Sequence, residues 1–77
     1  MRVGIIGIGK LGSIHLRIYR EIVDVKHICI VDCNIAKLAA HPNIESFTDY
    51  RNLLGKVDLI SIAAPTLNHF EIAQFFL

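Results

Sequence analysis

Three glycines stand in the run Gly7-Ile8-Gly9-Lys10-Leu11-Gly12, after an apolar stretch and at the start of a helical pattern. That spacing suits a pyrophosphate. The first glycine allows a tight strand-to-helix turn, the second lets the backbone approach the phosphates without a Cβ in the way, and the third lets the helix pack closely on the sheet. The phosphates would rest on unpaired backbone N–H groups at the positive end of the helix dipole. Dinucleotide binding also requires a preceding strand, a following helix and an acid about 20 residues on. Asp32, 20 positions after Gly12, is that acid. At the end of a second strand its carboxylate can accept from the adenosine ribose hydroxyls and would repel a 2′-phosphate. No arginine follows closely enough to offer a substitute partner, and the nearest cation is Lys37. NAD is therefore expected over NADP. Two other readings stay open: a plain turn or an S-adenosylmethionine site for the glycines, and an ordinary turn or capping carboxylate for Asp32.

Other polar residues are less committed. Lys10 could offer charge to the phosphates or simply be solvated. His15, one turn into the first helix, is expected as a half-buried packing histidine with a hydrogen bond, and His27 and His41 as surface residues without partners. The segment Ala63-Ala64-Pro65-Thr66-Leu67-Asn68-His69 follows the last strand, on the sheet edge where open α/β folds bind ligands. Pro65 stiffens it. Thr66 and Asn68 either reach the nicotinamide side or cap the next helix. His69 has no visible acid partner that would make it a base.

The elements that must position these residues read as βαβαβαβα. Strands are expected over 2–8, 26–31, 44–47 and 57–63, rich in β-branched residues as in a parallel sheet covered on both faces. Leu11, Ile14, Ile18 and Ile22 recur at helical spacing and predict one apolar face along 10–22. Asn34 is a candidate N-cap for a short helix through residue 40, stopped by His41-Pro42. Thr48 or Asp49 would cap another ending at Gly55. Asn68 with Glu71 has capping-box form for the last helix. The fold class is α/β, a Rossmann-type parallel sheet of about four strands with helices on both faces, and incomplete.

Composition agrees and excludes other classes. Of the 77 residues, 53% are hydrophobic and 19% charged, unlike a disordered chain. No apolar run is long enough to span a membrane. The net charge is +1 with basic residues scattered singly, so no nucleic-acid surface is expected. Cys29 and Cys33 would lie roughly 13 Å apart on a strand, beyond disulfide reach of about 7 Å. They lack a zinc-type pattern, so buried free thiols in a cytoplasmic protein without a signal peptide are expected, and no metal. A folded chain of this size hides only about 62% of its extended surface. The apolar last helix, Ile72 to Leu77, is expected to stay partly uncovered and to promote self-association.

Beyond these readings, Gly7 to Gly12 with Ser13-Ile14-His15 resembles the G-x-G-x-x-G-x-x-H start of the glucose–fructose oxidoreductase / inositol dehydrogenase / MocA family. Phe47-Thr48-Asp49-Tyr50, Leu53-Leu54 and Val57-Asp58 are similar to the stretch before that family's fourth strand. Ala64-Pro65-Thr66 with His69 is similar to its T-P-x-x-x-H segment, with Ala64 in place of threonine. The resemblance covers essentially all 77 residues. It implies that 1–77 is part of an NAD(P)-binding Rossmann domain whose cofactor site holds Gly7, Gly9, Gly12, Asp32, Pro65, Thr66 and His69, with Ile8, Lys10, Leu11 and Ala64 from the same motifs. It implies an oxidoreductase moving hydride between the nicotinamide and a sugar, cyclitol or related carbonyl or alcohol. The family's catalytic lysine, in a Glu-Lys-Pro motif on the next strand, has no counterpart in these residues, and on this resemblance its C-terminal catalytic domain is expected to be absent. No catalytic residue is assigned. The alternative is a non-catalytic module that binds NAD or a partner chain.

Overall fold

Val3, Gly4, Ile5 and Ile6 are all buried in the first strand, β1 (Arg2–Ile6), which therefore needs cover on both faces. The computed structural model describes residues 1–64 and 66–77, and of these the side chains of all but Thr66 and Leu67. It supplies that cover with α1 (Lys10–Arg20), α2 (Ile35–Ala39), a 3-10 turn (Tyr50–Leu53) and α3 (Thr66–Phe76). The other strands are β2 (His27–Val31), β3 (Glu45–Phe47) and β4 (Leu59–Ile62). All pair in parallel, in the order β3-β2-β1-β4. Registers such as Ile5↔Ile30 and Ile5↔Ser61 bring the carboxyl ends of β1, β2 and β4 to one edge.

Two apolar layers form because side chains alternate across each strand. On one face Val3, Ile5 and Ile30 pack with Ile8, Leu16 and Leu38. On the other, Ile6, Cys29 and Val31 pack with Leu53 and Ile72. Ile5, Ile30, Leu53 and Val3 are wholly buried, each contributing about 1.5–3 kcal/mol of hydrophobic stabilisation.

The expected order of elements is observed, with Asn34 capping α2 by accepting from the Ala36 N–H at 2.9 Å. Asp49, not Thr48, caps the 3-10 turn, accepting from the Arg51 N–H at 2.9 Å. Gly55 follows that turn with φ +79°. Four expectations are corrected. First, the Leu11, Ile14, Ile18 and Ile22 stripe does not meet the sheet, and all four residues are exposed. Gly12 and Leu16 are the buried residues of α1, with Tyr19 packed behind them. Close apposition at Gly12 fixes the helix's rotation, and the next row round faces outward. Second, β1 ends at Ile6 rather than residue 8, because Gly7 turns the chain out of the strand at φ +91°. Third, Cys33 is exposed; only Cys29 is buried, and both are free. β2 stops at Val31, which leaves Cys33 in the loop beyond it. Fourth, α3 begins at Thr66, so Asn68 lies inside the first turn instead of capping it. The His69 ring, hydrogen-bonded to the Ala64 carbonyl, draws that turn back against the end of β4.

Candidate dinucleotide-binding site

Gly7 ends β1 with its N–H donating to the Val31 carbonyl at 2.7 Å. Its positive φ is a conformation that side-chain-bearing residues rarely adopt. Gly12 then sits so close to this turn that a Cβ on it would lie 1.8 Å from the Gly7 carbonyl oxygen. Those two glycines are requirements of the fold. Gly9 differs. A Cβ there would have only the Lys37 Nζ nearby, at 3.8 Å, and its φ of −72° is ordinary. Nothing in the protein itself demands a glycine at this position.

Gly9 is also the N-cap of α1, where no side chain caps the helix and no acidic residue occupies the first turn. The first N–H groups of a helix lack intrahelical acceptors, and at α1 no side chain caps them. Ser13 buttresses the turn from behind, its N–H donating to the Gly9 carbonyl at 2.9 Å and its Oγ to the Ile8 carbonyl at 3.3 Å.

Asp32 closes the arrangement from the end of β2. Its Oδ2 accepts from the Ile8 N–H at 3.0 Å and its Oδ1 from the Asn34 N–H at 2.8 Å. The turn-carboxylate reading is therefore true as geometry. Each carboxylate oxygen still keeps acceptor capacity, because an ionised carboxylate offers about four lone-pair sites.

Gly7, Asp32 and Ala64 line a cleft of about 440 Å³ at the carboxyl edge of the sheet, together with Lys37, Thr48, Tyr50, Asn68 and Glu71. The cleft thus joins the glycine turn to the end of β4. Of the other expected site residues, Ile8, Gly9, Lys10, Leu11 and Gly12 form the turn and the start of α1 beside it. Lys10 is exposed, whereas Lys37 reaches toward Gly9 from α2. His69 is half-buried and holds the Ala64 carbonyl. Pro65 and the Thr66 side chain lie outside the described residues. Sequence reasoning noticed Lys37 only as a neighbouring cation; its place over the glycine turn follows from packing of the short α2. Thr48, Tyr50 and Glu71, read from sequence only as capping or family-motif residues, also line the cleft. His15 matches its expected role, half-buried with Nδ1 and the Ser61 Oγ 2.8 Å apart.

The residues fit a dinucleotide on one structural test: the backbone at Gly9 is open where a Cβ would protrude, beside uncapped N–H groups and a lysine. Comparison with known proteins agrees. The family model described as an oxidoreductase family with an NAD-binding Rossmann fold matches residues 1–77. UDP-N-acetylglucosamine 3-dehydrogenase of Acidithiobacillus ferrooxidans is 35% identical over 75 residues, spanning 96% of this chain and 24% of that protein. Its crystal form gives a TM-score of 0.75 at 34% identity, covering 99% of this chain and 26% of that one. Scyllo-inositol dehydrogenase from Lactobacillus casei, solved with NAD(H) and scyllo-inositol, superposes with a TM-score of 0.84 at 24% identity, over 99% of this chain and 24% of that one. The latter likeness speaks for the fold. This chain spans about a quarter of the length of the relatives it matches. The sequence, the turn geometry and the family match over residues 1–77 together make the chain a member of the Gfo/Idh/MocA oxidoreductase family, in its NAD-binding Rossmann fold.

Proposed function

We propose that these 77 residues form the cofactor-binding part of a dehydrogenase that moves hydride between NAD and a hydroxyl or carbonyl carbon of a sugar or related polyol. The observation that carries this reading is the open backbone at Gly9. The fold does not require a glycine there, and a pyrophosphate does. Gly7 and Gly12 shape the turn, the α1 N-terminus and Lys37 face the phosphates, and Asp32 takes the adenosine ribose hydroxyls through its free lone pairs. Ala64 and His69 border the nicotinamide side; Pro65 and the Thr66 side chain, expected there as well, lie outside the described residues. When bound, the nicotinamide supplies or accepts the hydride. The acid–base groups that move the hydroxyl proton are placed on residues other than these, following the resemblance to a family whose catalytic lysine has no counterpart in the sequence. The substrate class follows the UDP-N-acetylglucosamine 3-dehydrogenase likeness, an enzyme whose name places its chemistry on a sugar carbon.

Three finer readings belong to the same proposal. NAD is preferred over NADP because the Asp32 carboxylate repels a 2′-phosphate. The protein acts in the cytoplasm; among the described residues no helix is long and apolar enough to cross a membrane. It self-associates through its uncovered apolar surface, where Phe70 is 77% exposed on α3. The deciding experiment is a fluorescence titration with NADH and NADPH. Tighter NADH binding supports the proposal, and equal or tighter NADPH binding overturns the role of Asp32. Turnover of sugars by residues 1–77 alone would overturn the placement of the acid–base groups elsewhere.

A further inference from the structure

At the edge of the sheet opposite the glycine turn, three side chains converge that the dinucleotide site does not use. His27 and Cys29 are two apart on β2 and so share a face. Glu45 is the in-register partner of Cys29 on β3. The His27 Nε2 lies 2.9 Å from Glu45 Oε1, the Cys29 Sγ 3.1 Å from the same oxygen, and Sγ and Nε2 3.4 Å from each other. His27, expected to be a partnerless surface residue, is thus paired. The His27–Glu45 hydrogen bond accounts for two of the three groups; it does not account for the buried sulfur meeting both.

We propose that His27, Cys29 and Glu45 form a three-ligand site for a divalent transition-metal ion of the zinc type, stapling β3 to β2. Zinc bonds of about 2.3 Å to sulfur and about 2.0–2.2 Å to nitrogen and oxygen separate tetrahedral ligand atoms by roughly 3.3–3.7 Å. The observed triangle needs to open by only a few tenths of an ångström. A nitrogen, a sulfur and a carboxylate oxygen are the donor set that zinc accepts. His27 and Glu45 are each about half exposed, with side chains at 49%, so water reaches the fourth position. Coordination breaks the Cys29 S–H bond, forms the metal–sulfur bond and releases one proton to buffer. Without metal the thiol resists ionisation: burial and the Glu45 carboxylate raise it to about 11, while Lys56 and Arg2 oppose that rise. A thiolate and a carboxylate together neutralise a dication, which offsets the repulsion from Lys56 and Arg2. β3 has only three residues, so a metal clip there adds a constraint that the short ladder lacks.

The test is a titration with cobalt(II) alone, then zinc(II), in a Cys33→Ser background that removes the exposed second thiol. One equivalent of cobalt should give a sulfur-to-metal charge-transfer band and the intense visible bands of tetrahedral coordination. Zinc should abolish these bands and raise the melting temperature. Cys29→Ser should remove the charge-transfer band. Because Cys29 is buried and its variant could misfold, His27→Gln and Glu45→Gln, both at half-exposed positions, provide the second arm. Each should weaken cobalt binding at least about 10–100-fold, the loss typical of removing even an outer partner of a ligand. Absence of the bands at one equivalent, their persistence in Cys29→Ser, or unchanged affinity in folded His27→Gln and Glu45→Gln would each overturn the proposal.

Discussion

Replacing Gly9 with alanine separates what the protein needs from what its ligand needs. A Cβ at this position meets only the tip of Lys37, at 3.8 Å, an ordinary contact with a flexible side chain. With φ at −72° no left-handed strain arises. The cost to folding is then the difference between alanine and glycine at an N-cap, on the order of 0.5–1 kcal/mol. The cost to the ligand is larger. On the proposed reading, a phosphate oxygen held by the first N–H groups of α1 would lie against the Gly9 Cα, and a methyl group there would displace it. Losing one hydrogen bond to a charged group costs about 1.5–3 kcal/mol, which weakens NADH binding about 10–100-fold. Gly9→Val, with a bulkier side chain, should weaken it further. The assay is NADH fluorescence titration beside a urea melt of the same sample. If Gly9→Val is folded and binds NADH as tightly as the parent, the glycine run is a structural turn and the cofactor reading fails.

Gly12→Ala should do the reverse and damage the fold first. Its Cβ would lie 1.8 Å from the Gly7 carbonyl oxygen and 2.8 Å from the carbonyl carbon, both backbone atoms that cannot swing aside. The overpacking cost is about 1–3 kcal/mol or more, against a total stability of roughly 4–12 kcal/mol for a chain of this length. An unchanged urea midpoint would refute the close packing at this turn. Asp58 gives a pH prediction. The Arg2 backbone N–H at 2.8 Å and the Arg2 guanidinium hold its carboxyl below the ordinary aspartate range. A depressed carboxyl adds stability that is fully present above about pH 4 and is lost as pH falls through the lowered value. Asp58→Asn should therefore flatten the acid limb of stability against pH and leave its slope near neutrality unchanged; an acid limb identical to the parent's would exclude the contribution.

The sequence made the order of elements and the glycine turn legible because both are local: β-branched runs, a cap at Asn34, and glycines where the chain must bend. It misled about α1 because periodicity identifies a face without saying which neighbour covers it. Leu11, Ile14, Ile18 and Ile22 form the more apolar row, yet the close approach at Gly12 turns Leu16 to the sheet instead. The His27–Cys29–Glu45 triangle was illegible for another reason. Its third member comes from a different strand, and only the register Cys29↔Glu45 makes the three groups neighbours. Tyr50 and Glu71 reach the cleft by the same kind of long-range placement.

Asp32 shows why a residue can satisfy a structural and a functional reading together. Its two oxygens hold the N–H groups of Ile8 and Asn34, at 3.0 and 2.8 Å, so it orders the glycine turn before any ligand arrives. An asparagine there would bring one acceptor oxygen and one donor NH₂ to two backbone donors, setting donor against donor at Ile8 or Asn34. Such a change would loosen the glycine turn, and on the proposed reading NADH and NADPH binding would suffer alike. On the proposed reading, the lone pairs left free on Asp32 would distinguish a ribose hydroxyl from a 2′-phosphate, and they cannot be removed without removing the turn's anchor. Cofactor selectivity would then rest on the same carboxylate that orders the turn, and it is tested by the unaltered protein's preference between the two nucleotides rather than by any substitution at position 32.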